Sequence, residues 1–184
     1  MLKKILLIIG GLVLLFVLWS VYGLFIAEPA SPKDSVSYSD MGLDITVDYS
    51  RPYKKGRLIF GEEADEALQP FGKYWRLGAN EATEISVSGD VLFAGESLSA
   101  GRYRMYAVPG KEAFEVTLNS ELEVFFGIAE PDPALDVLSV MAPVTMQDDV
   151  TEQFTIQFKS DSTAIQMEFV WDNFLFTVPI QPAN

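Results

Sequence analysis

The sequence contains no cysteine and no histidine among its 184 residues. Disulfides, thiolate or imidazole metal sites, catalytic triads and cysteine nucleophiles are therefore excluded within the chain. Acid–base chemistry is left to carboxylate, lysine, tyrosine and arginine side chains, with serine and threonine as hydroxyl nucleophiles. The sequence names no reaction, and we predict a protein without a cofactor that is a binding or accessory module rather than an enzyme.

Positive charge is scarce as well, with 13 lysines and arginines against 26 aspartates and glutamates and a net charge of −13. Nucleic acids are held largely by lysine and arginine on phosphate groups, so this composition argues against a nucleic-acid partner. The acidic pairs, such as the one at residues 148–149, do not follow the spacing of an EF-hand calcium loop. We therefore predict no metal site.

The N-terminal region carries the longest apolar run of the chain. Residues 5–26 include no charged side chain, and 22 residues of helix are long enough to cross a hydrocarbon core of about 30 Å. Lys3 and Lys4 precede this run and favour a cytoplasmic N-terminus. A cleaved signal peptide is the alternative, but its apolar region is usually about 7 to 15 residues and ends in an A-x-A-like site. We predict an uncleaved single-pass anchor that contacts the membrane through residues 5–26.

The remaining chain divides into a spacer and one domain. We assign residues 1–27 to the anchor, 28–35 to a linker with two prolines, and 36–182 to a periplasmic or otherwise extracytoplasmic domain.

The predicted domain shows a period of two residues. Residues 43–49 read LDITVDY, with an apolar side chain at every second position, and residues 103–107, 114–118 and 154–158 repeat the alternation. Residues 122–126 are a further candidate strand, and Asp172-Asn173 fits a hairpin turn between residues 165–169 and 174–178. Residues 62–68 (EEADEAL) predict one short helix. The pattern indicates an all-β fold, an antiparallel β-sandwich or jelly roll.

Residues 49–83 contain six of the eleven basic residues that follow the apolar run. Arginines beside turn glycines can hold a carboxylate or phosphate through two hydrogen bonds. One interpretation is an internal ion-pair network in which Arg76 holds Glu81 or Asp48; the other is a ligand site. Trp75 fits either a core position or a stacking platform. The candidate ligand-binding residues are Arg51, Lys55, Arg57, Trp75, Arg76, Asn80, Glu81 and Thr83.

Several stretches of the chain together resemble a known family. DITVDYSRP is followed by KGR, IFG, PFGKYWRLGANEAT and LSAGRYRMYAVPG. This order is similar to the bacterial family catalogued as domain of unknown function 2911, over residues 31–180. The resemblance implies an exported or envelope-associated β-rich domain and implies no activity.

Three functions follow as hypotheses. In the first, the domain is an envelope binding module whose loop 51–83 recognises an anionic small molecule or a polyhydroxylated ligand such as a glycan. In the second, Glu81 and either Glu84 or Asp48 form the carboxylate pair of a glycoside hydrolase. In the third, the domain is an assembly subunit that docks on another envelope protein. That docking surface is a sheet edge or the aromatic residues Trp171, Phe174 and Phe176.

Overall fold

The computed structural model describes residues 2–25, 30–122, 124, 127 and 129–183. Its contacts divide the chain into two compact units, Met1–Ala30 and Ser31–Asn184. The first unit is one helix, α1, over Leu2–Phe25. Within the described part of the chain, no helix is both long and apolar enough to cross a membrane. The transmembrane span predicted over residues 5–26 therefore has no support from the structure.

Two predicted segments fall partly on residues that are not described. Residues 28 and 29 of the predicted linker lie outside the described residues, and its last three residues already belong to a strand that begins at Lys33. In the candidate strand 122–126, residues 123, 125 and 126 lie outside the described residues, and Leu122 and Val124 are not in a strand.

Within its described residues the second unit contains eleven strands. They are β1 Lys33–Asp40, β2 Leu43–Ser50, β3 Phe60–Gly61, β4 Gln69–Pro70, β5 Thr83–Val87, β6 Val91–Phe93, β7 Glu96–Leu98, β8 Gly101–Val108, β9 Ala113–Asn119, β10 Asp136–Ser160 and β11 Ile165–Pro182. Nine of them are hydrogen-bonded in the order β1-β2-β5-β8-β9-β10-β11-β6-β7, and every neighbouring pair is antiparallel. Strands β3 and β4 form a separate parallel pair. The prediction of an all-β antiparallel fold is confirmed.

The 25-residue strand β10 links two parts of the strand order, β1-β2-β5-β8-β9 and β11-β6-β7. Its residues 136–143 pair with β9, and residues 144–160 pair with β11. Register shifts between Met146 and Thr155 interrupt the second pairing, as β-bulges do where a strand bends. Strand β10 is therefore hydrogen-bonded to both parts of the strand order.

Aromatic rings from the two parts of the strand order pack on each other in the core. The rings of Phe114 on β9 and Phe176 on β11 are 4.5 Å apart, and those of Trp75 and Trp171 are 5.9 Å apart. Trp171 and Phe176 are almost completely buried, and Phe174 packs partly buried against the same core. Trp171 and Phe176 therefore do not form the predicted aromatic docking surface, because their rings are buried in the fold.

The predicted hairpin at Asp172-Asn173 is also wrong. Strand β11 continues without interruption through both residues, and Asp172 adopts a φ of 57° opposite Thr151, where the register shifts. The turn between β10 and β11 lies at Asp161 instead, whose carboxylate accepts hydrogen bonds from the backbone N–H groups of Thr163 and Ala164. The helix predicted over residues 62–68 is a single 3₁₀ turn over Glu63–Asp65.

Candidate binding site

Arg51 joins the end of β2 to β10 rather than facing a ligand. Its Nε donates to the carbonyl of Phe154 at 3.1 Å, and its Nη2 donates to the hydroxyl of Thr155 at 2.8 Å. The third nitrogen, Nη1, lies 3.1 Å from a carboxylate oxygen of Asp34. All three guanidinium nitrogens are therefore used inside the fold.

Arg57 and Lys55 stabilise the loop that follows β2. Arg57 Nε donates to the carbonyl of Lys54 at 2.9 Å, and Nη2 contacts the carbonyl of Tyr53. The backbone N–H of Lys55 donates to Glu152 at 2.7 Å, and the Lys55 ammonium lies 6.0 Å from the centre of the Tyr53 ring. The Arg57 guanidinium is therefore directed at main-chain carbonyls of its own loop.

The segment around Trp75 is a packed loop. Trp75 is 2% exposed and donates from Nε1 to the carbonyl of Gly78 at 3.3 Å. Gly78 has a φ of 151°, and a Cβ atom there would lie 2.6 Å from the carbonyl oxygen of Ser50. Thr83 donates to the carbonyl of Leu77 at 2.7 Å. Trp75 therefore occupies the core position, and the stacking-platform interpretation is wrong.

Arg76 and Asn80 also bond to the main chain. Arg76 donates from Nη1 to the carbonyl of Asn80 at 3.2 Å, and Asn80 donates from Nδ2 to the carbonyl of Ser31 at 3.3 Å. Glu81, the predicted partner of Arg76, lies 2.8 Å from the Lys33 ammonium instead. The predicted network of internal contacts forms, but it is built from carbonyls rather than from the expected ion pair.

A pocket of about 810 Å³ lies on the outer face of strands β1, β2, β5 and β8. Of the eight predicted site residues, all of which the structure describes, only Glu81 lines it. The described residues that line the pocket are Lys33, Asp34, Ser35, Asp48, Tyr49, Ser50, Glu81, Ala82, Glu84, Arg102 and Val124.

The alternation of side chains in the strands explains why this face is polar. Ile45 and Val47 of β2 point into the core, whereas Asp48 points outward. Pairing then aligns Ser35, Asp48, Glu84 and Arg104 in one row across four strands. Side chains directly opposite each other on antiparallel strands have Cβ atoms about 4.5 to 5.5 Å apart. The carboxylates of Asp48 and Glu84 therefore project side by side.

Acidic groups outnumber basic groups among the described residues of the pocket. Asp34, Asp48, Glu81 and Glu84 are acidic, and Lys33 and Arg102 are basic.

Three of the four carboxylates have a cationic partner. Arg102 contacts Glu84, Lys33 pairs with Glu81, and Arg51 pairs with Asp34. The Asp48 carboxylate forms no hydrogen bond or ion pair with any other residue that the structure describes. The hydrogen bond from Lys33 lowers the pKa of Glu81, which is therefore ionised at neutral pH.

The same outer face continues beyond the pocket as a buried polar network. Arg104 is 1% exposed and donates from Nη1 to Glu121 at 2.7 Å and from Nη2 to the Tyr74 hydroxyl at 2.8 Å. The Tyr106 hydroxyl contacts both carboxylate oxygens of Asp136, at 2.9 and 3.0 Å. Burial, together with that carboxylate, raises the pKa of Tyr106 to about 12.

Neither Arg102 nor Arg104 is among the site residues predicted from the sequence. The signal was present in residues 101–106, where arginine, arginine and tyrosine alternate with other residues and so share one face of a strand. Over the whole described region, no group of three or more acidic side chains is arranged to hold a metal ion.

These features define a class: an antiparallel β-domain with an open, acidic pocket on the outer face of its sheet. The family model described as protein of unknown function (DUF2911) matches residues 31–180, so the chain belongs to that family and the resemblance is confirmed. No curated protein and no solved structure matches the chain.

Proposed function

We propose that the domain is a binding module that takes a small polyhydroxylated ligand, of the oligosaccharide type, into the pocket on its outer sheet face. The observation that carries the proposal is Asp48, a pocket carboxylate without a partner among the described residues. An ionised carboxylate only accepts hydrogen bonds and has about four lone-pair sites for hydroxyl donors. The Arg102 side chain lines the same pocket, is 48% exposed and supplies donors for hydroxyl oxygens.

The charge of the pocket favours a neutral ligand over an anionic one. Four acidic side chains line it against two basic ones, and a site with excess negative charge repels anions. Arg51, Arg57 and Arg76, the residues expected to hold an anion, direct their guanidinium groups at carbonyls and side chains of the fold. The pocket therefore favours a polyhydroxylated ligand over an anionic small molecule.

Calorimetry on the full chain, purified in mild detergent, tests this choice. The titrants are malto-, cello- and chito-oligosaccharides on one side and inorganic phosphate on the other. We expect at least one neutral oligosaccharide to bind with a Kd of about 1 mM or lower, and phosphate to give no heat of binding. Phosphate that binds more tightly than every oligosaccharide would contradict the proposal.

A carboxylate-based glycoside hydrolase is a second candidate, because Asp48 and Glu84 are direct cross-strand neighbours in one pocket. Retaining enzymes place two carboxyl groups about 5 to 5.5 Å apart, and inverting enzymes about 6.5 to 9.5 Å apart. Glu81 does not suit the role of general acid, because the lowered pKa leaves it without the proton that such a group donates.

Product analysis separates the hydrolase from the binding module. If the pocket hydrolyses glycosidic bonds, the full chain releases reducing ends from the oligosaccharide that binds, and both Asp48→Asn and Glu84→Gln abolish the release. Binding without any release identifies a binding module. Release that survives both substitutions would exclude this carboxylate pair.

The cellular location is a separate part of the proposal and depends on the sequence. We place the domain outside the cytoplasm of a bacterial cell, tethered through residues 5–26 with the N-terminus inside, because these residues carry no charge and follow two lysines. For the architecture we propose a sandwich-like arrangement, supported by the ring contacts between β9 and β11. Retention of the full chain in membranes after an alkaline wash is the expected result, and complete release would contradict the tether.

A further inference from the structure

One side of the pocket is lined by a connection between two strands. Val124 lines the pocket and lies in the connection between β9 and β10. Four residues of this connection, Glu121, Val124, Gly127 and Ala129, are referred to below as the pocket wall. Both ends of the pocket wall contact the same side chain of β8, Arg104.

Arg104 is positioned to fix these ends. It donates from Nη1 to a carboxylate oxygen of Glu121 at 2.7 Å, and from Nη2 to the carbonyl of Ala129 at 2.7 Å. The guanidinium is planar and rigid, so two acceptors bound to it are held at a defined separation. Nε has no hydrogen-bond partner among the described atoms although Arg104 is 1% exposed. A buried donor without a partner costs free energy, so stability alone does not explain an arginine here.

Two further contacts hold the middle of the pocket wall, Gly127, in place. The Tyr74 hydroxyl, which accepts from Arg104, donates to the carbonyl of Gly127 at 3.1 Å. A Cβ atom at Gly127 would lie 2.9 Å from the backbone of Ala82, which also lines the pocket. The wall therefore rests directly on the pocket rim, and only glycine permits this approach.

We propose that Arg104 is a positioning residue: it fixes the pocket wall against the sheet and thereby sets ligand affinity without touching the ligand. The effect on affinity rests on the binding function proposed above. Arg104 does not line the pocket, whereas its cross-strand neighbour Glu84 does. The proposal adds Arg104, Tyr74 and Glu121 to the residues that determine recognition.

The test measures the mobility of the wall without any ligand. Because the chain has no cysteine, Leu122→Cys provides a single thiol for a nitroxide label; Leu122 is exposed and does not line the pocket. The electron paramagnetic resonance spectrum of the labelled full chain is recorded for Arg104→Met, Glu121→Ala and Glu121→Gln. Arg102→Met is the matched control, because Arg102 lies two residues away on the same face of β8 and contacts Glu84 instead of the wall.

We expect the label to become more mobile with Arg104→Met and Glu121→Ala. It stays as in the parent protein with Arg102→Met and with Glu121→Gln, which keeps an acceptor oxygen for Nη1. An unchanged spectrum with Arg104→Met, or equal mobility with Arg102→Met, overturns the proposal. If Arg104→Met does not fold, Glu121→Ala decides, because the Glu121 side chain is 40% exposed and its loss spares the core.

Affinity provides the second measurement. With an oligosaccharide that binds the parent protein, we expect Arg104→Met to weaken binding by roughly 2- to 30-fold, the range for residues that act without contacting the ligand. Unchanged affinity with a mobile wall contradicts the effect on recognition. If no oligosaccharide binds the parent protein, the proposed function fails while the spectra still decide whether Arg104 fixes the wall.

Discussion

Asp48 of β2 lies directly opposite Glu84 of β5, yet the two carboxylates have different surroundings. Glu84 is almost buried and contacts Arg102, whereas Asp48 is exposed and has no partner among the described residues. The Glu84 carboxylate therefore makes a contact inside the fold, and the Asp48 carboxylate is available to a ligand. This difference within one cross-strand pair is the basis for placing the binding site on the outer sheet face.

Trp75 provides a test of core against ligand contact. Its ring stacks on Trp171 and packs edge-on against Phe60 and Phe154. We expect Trp75→Ala to lower the free energy of unfolding by about 3 to 5 kcal/mol, because it removes a large buried side chain and leaves a cavity. Denaturant unfolding measures this loss. Unchanged stability together with a loss of ligand binding would contradict the core role and indicate that Trp75 contacts the ligand.

Gly78 tests the close approach of its loop to β2. Gly42, in the two-residue turn between β1 and β2, is the matched control because its φ is also positive and its missing Cβ would meet nothing within 4 Å. We expect Gly42→Ala to cost about 1 to 2 kcal/mol, the price of a left-handed L-residue. Gly78→Ala should cost more, because its Cβ would also collide with the Ser50 carbonyl. Equal costs in thermal unfolding would refute the collision.

Lys54 and Asp172 form an ion pair where β11 is irregular, with side chains 20% and 9% exposed. Lys54→Met leaves the Asp172 carboxylate buried without its cation, so we expect a loss of about 3 kcal/mol or more. Lys55→Met is the control, because the Lys55 ammonium makes only a distant contact with the Tyr53 ring among the described residues. The double variant Lys54→Met/Asp172→Gly should recover part of the loss, since glycine tolerates the positive φ. No recovery in urea unfolding would contradict this account.

The pair of Lys33 and Glu81 at the pocket predicts a dependence of stability on acid pH. The Lys33 hydrogen bond lowers the pKa of Glu81 in the folded protein below its ordinary value of 4.5. Its contribution to stability is therefore fully present above pH 4.5 and is lost as the pH falls through the folded pKa. We expect Glu81→Gln to lower the unfolding midpoint slightly at pH 7 and to flatten its decline between pH 5 and 3. An identical decline in both proteins would contradict the pairing.

The sequence predicts the local features of this fold better than the long-range ones. Alternation in residues 43–49 predicts β2 and its outward Asp48, because the two faces of a strand differ in burial. The same alternation surrounds Asp172 and does not distinguish a hairpin from a bulge within one strand. Only the pairing of Asp172 with Thr151 of β10 separates the two.

The sequence does not show the role of the basic segment, residues 49–83, for a related reason. A guanidinium can donate to a backbone carbonyl as well as to a carboxylate, and the sequence does not show which carbonyls approach it. Arg57 and Arg76 bond to carbonyls within four residues, and Arg51 reaches β10. The pocket itself forms where β2 pairs with β5 and β5 with β8, three strands separated by long connections, so the sequence does not show that its residues come together.

The most direct test of the binding proposal compares two aspartates of the same strand. Asp48 and Asp44 both point outward from β2, but only Asp48 lines the pocket; Asp44 accepts a hydrogen bond from Ser39 at 2.5 Å. The measurement is calorimetric titration of Asp48→Asn and Asp44→Asn with an oligosaccharide that binds the parent protein. We expect Asp48→Asn to weaken binding by about tenfold, the loss of one hydrogen bond to a charged group, and Asp44→Asn to bind as the parent does. Equal affinity of the two variants for the oligosaccharide would contradict a binding site at Asp48.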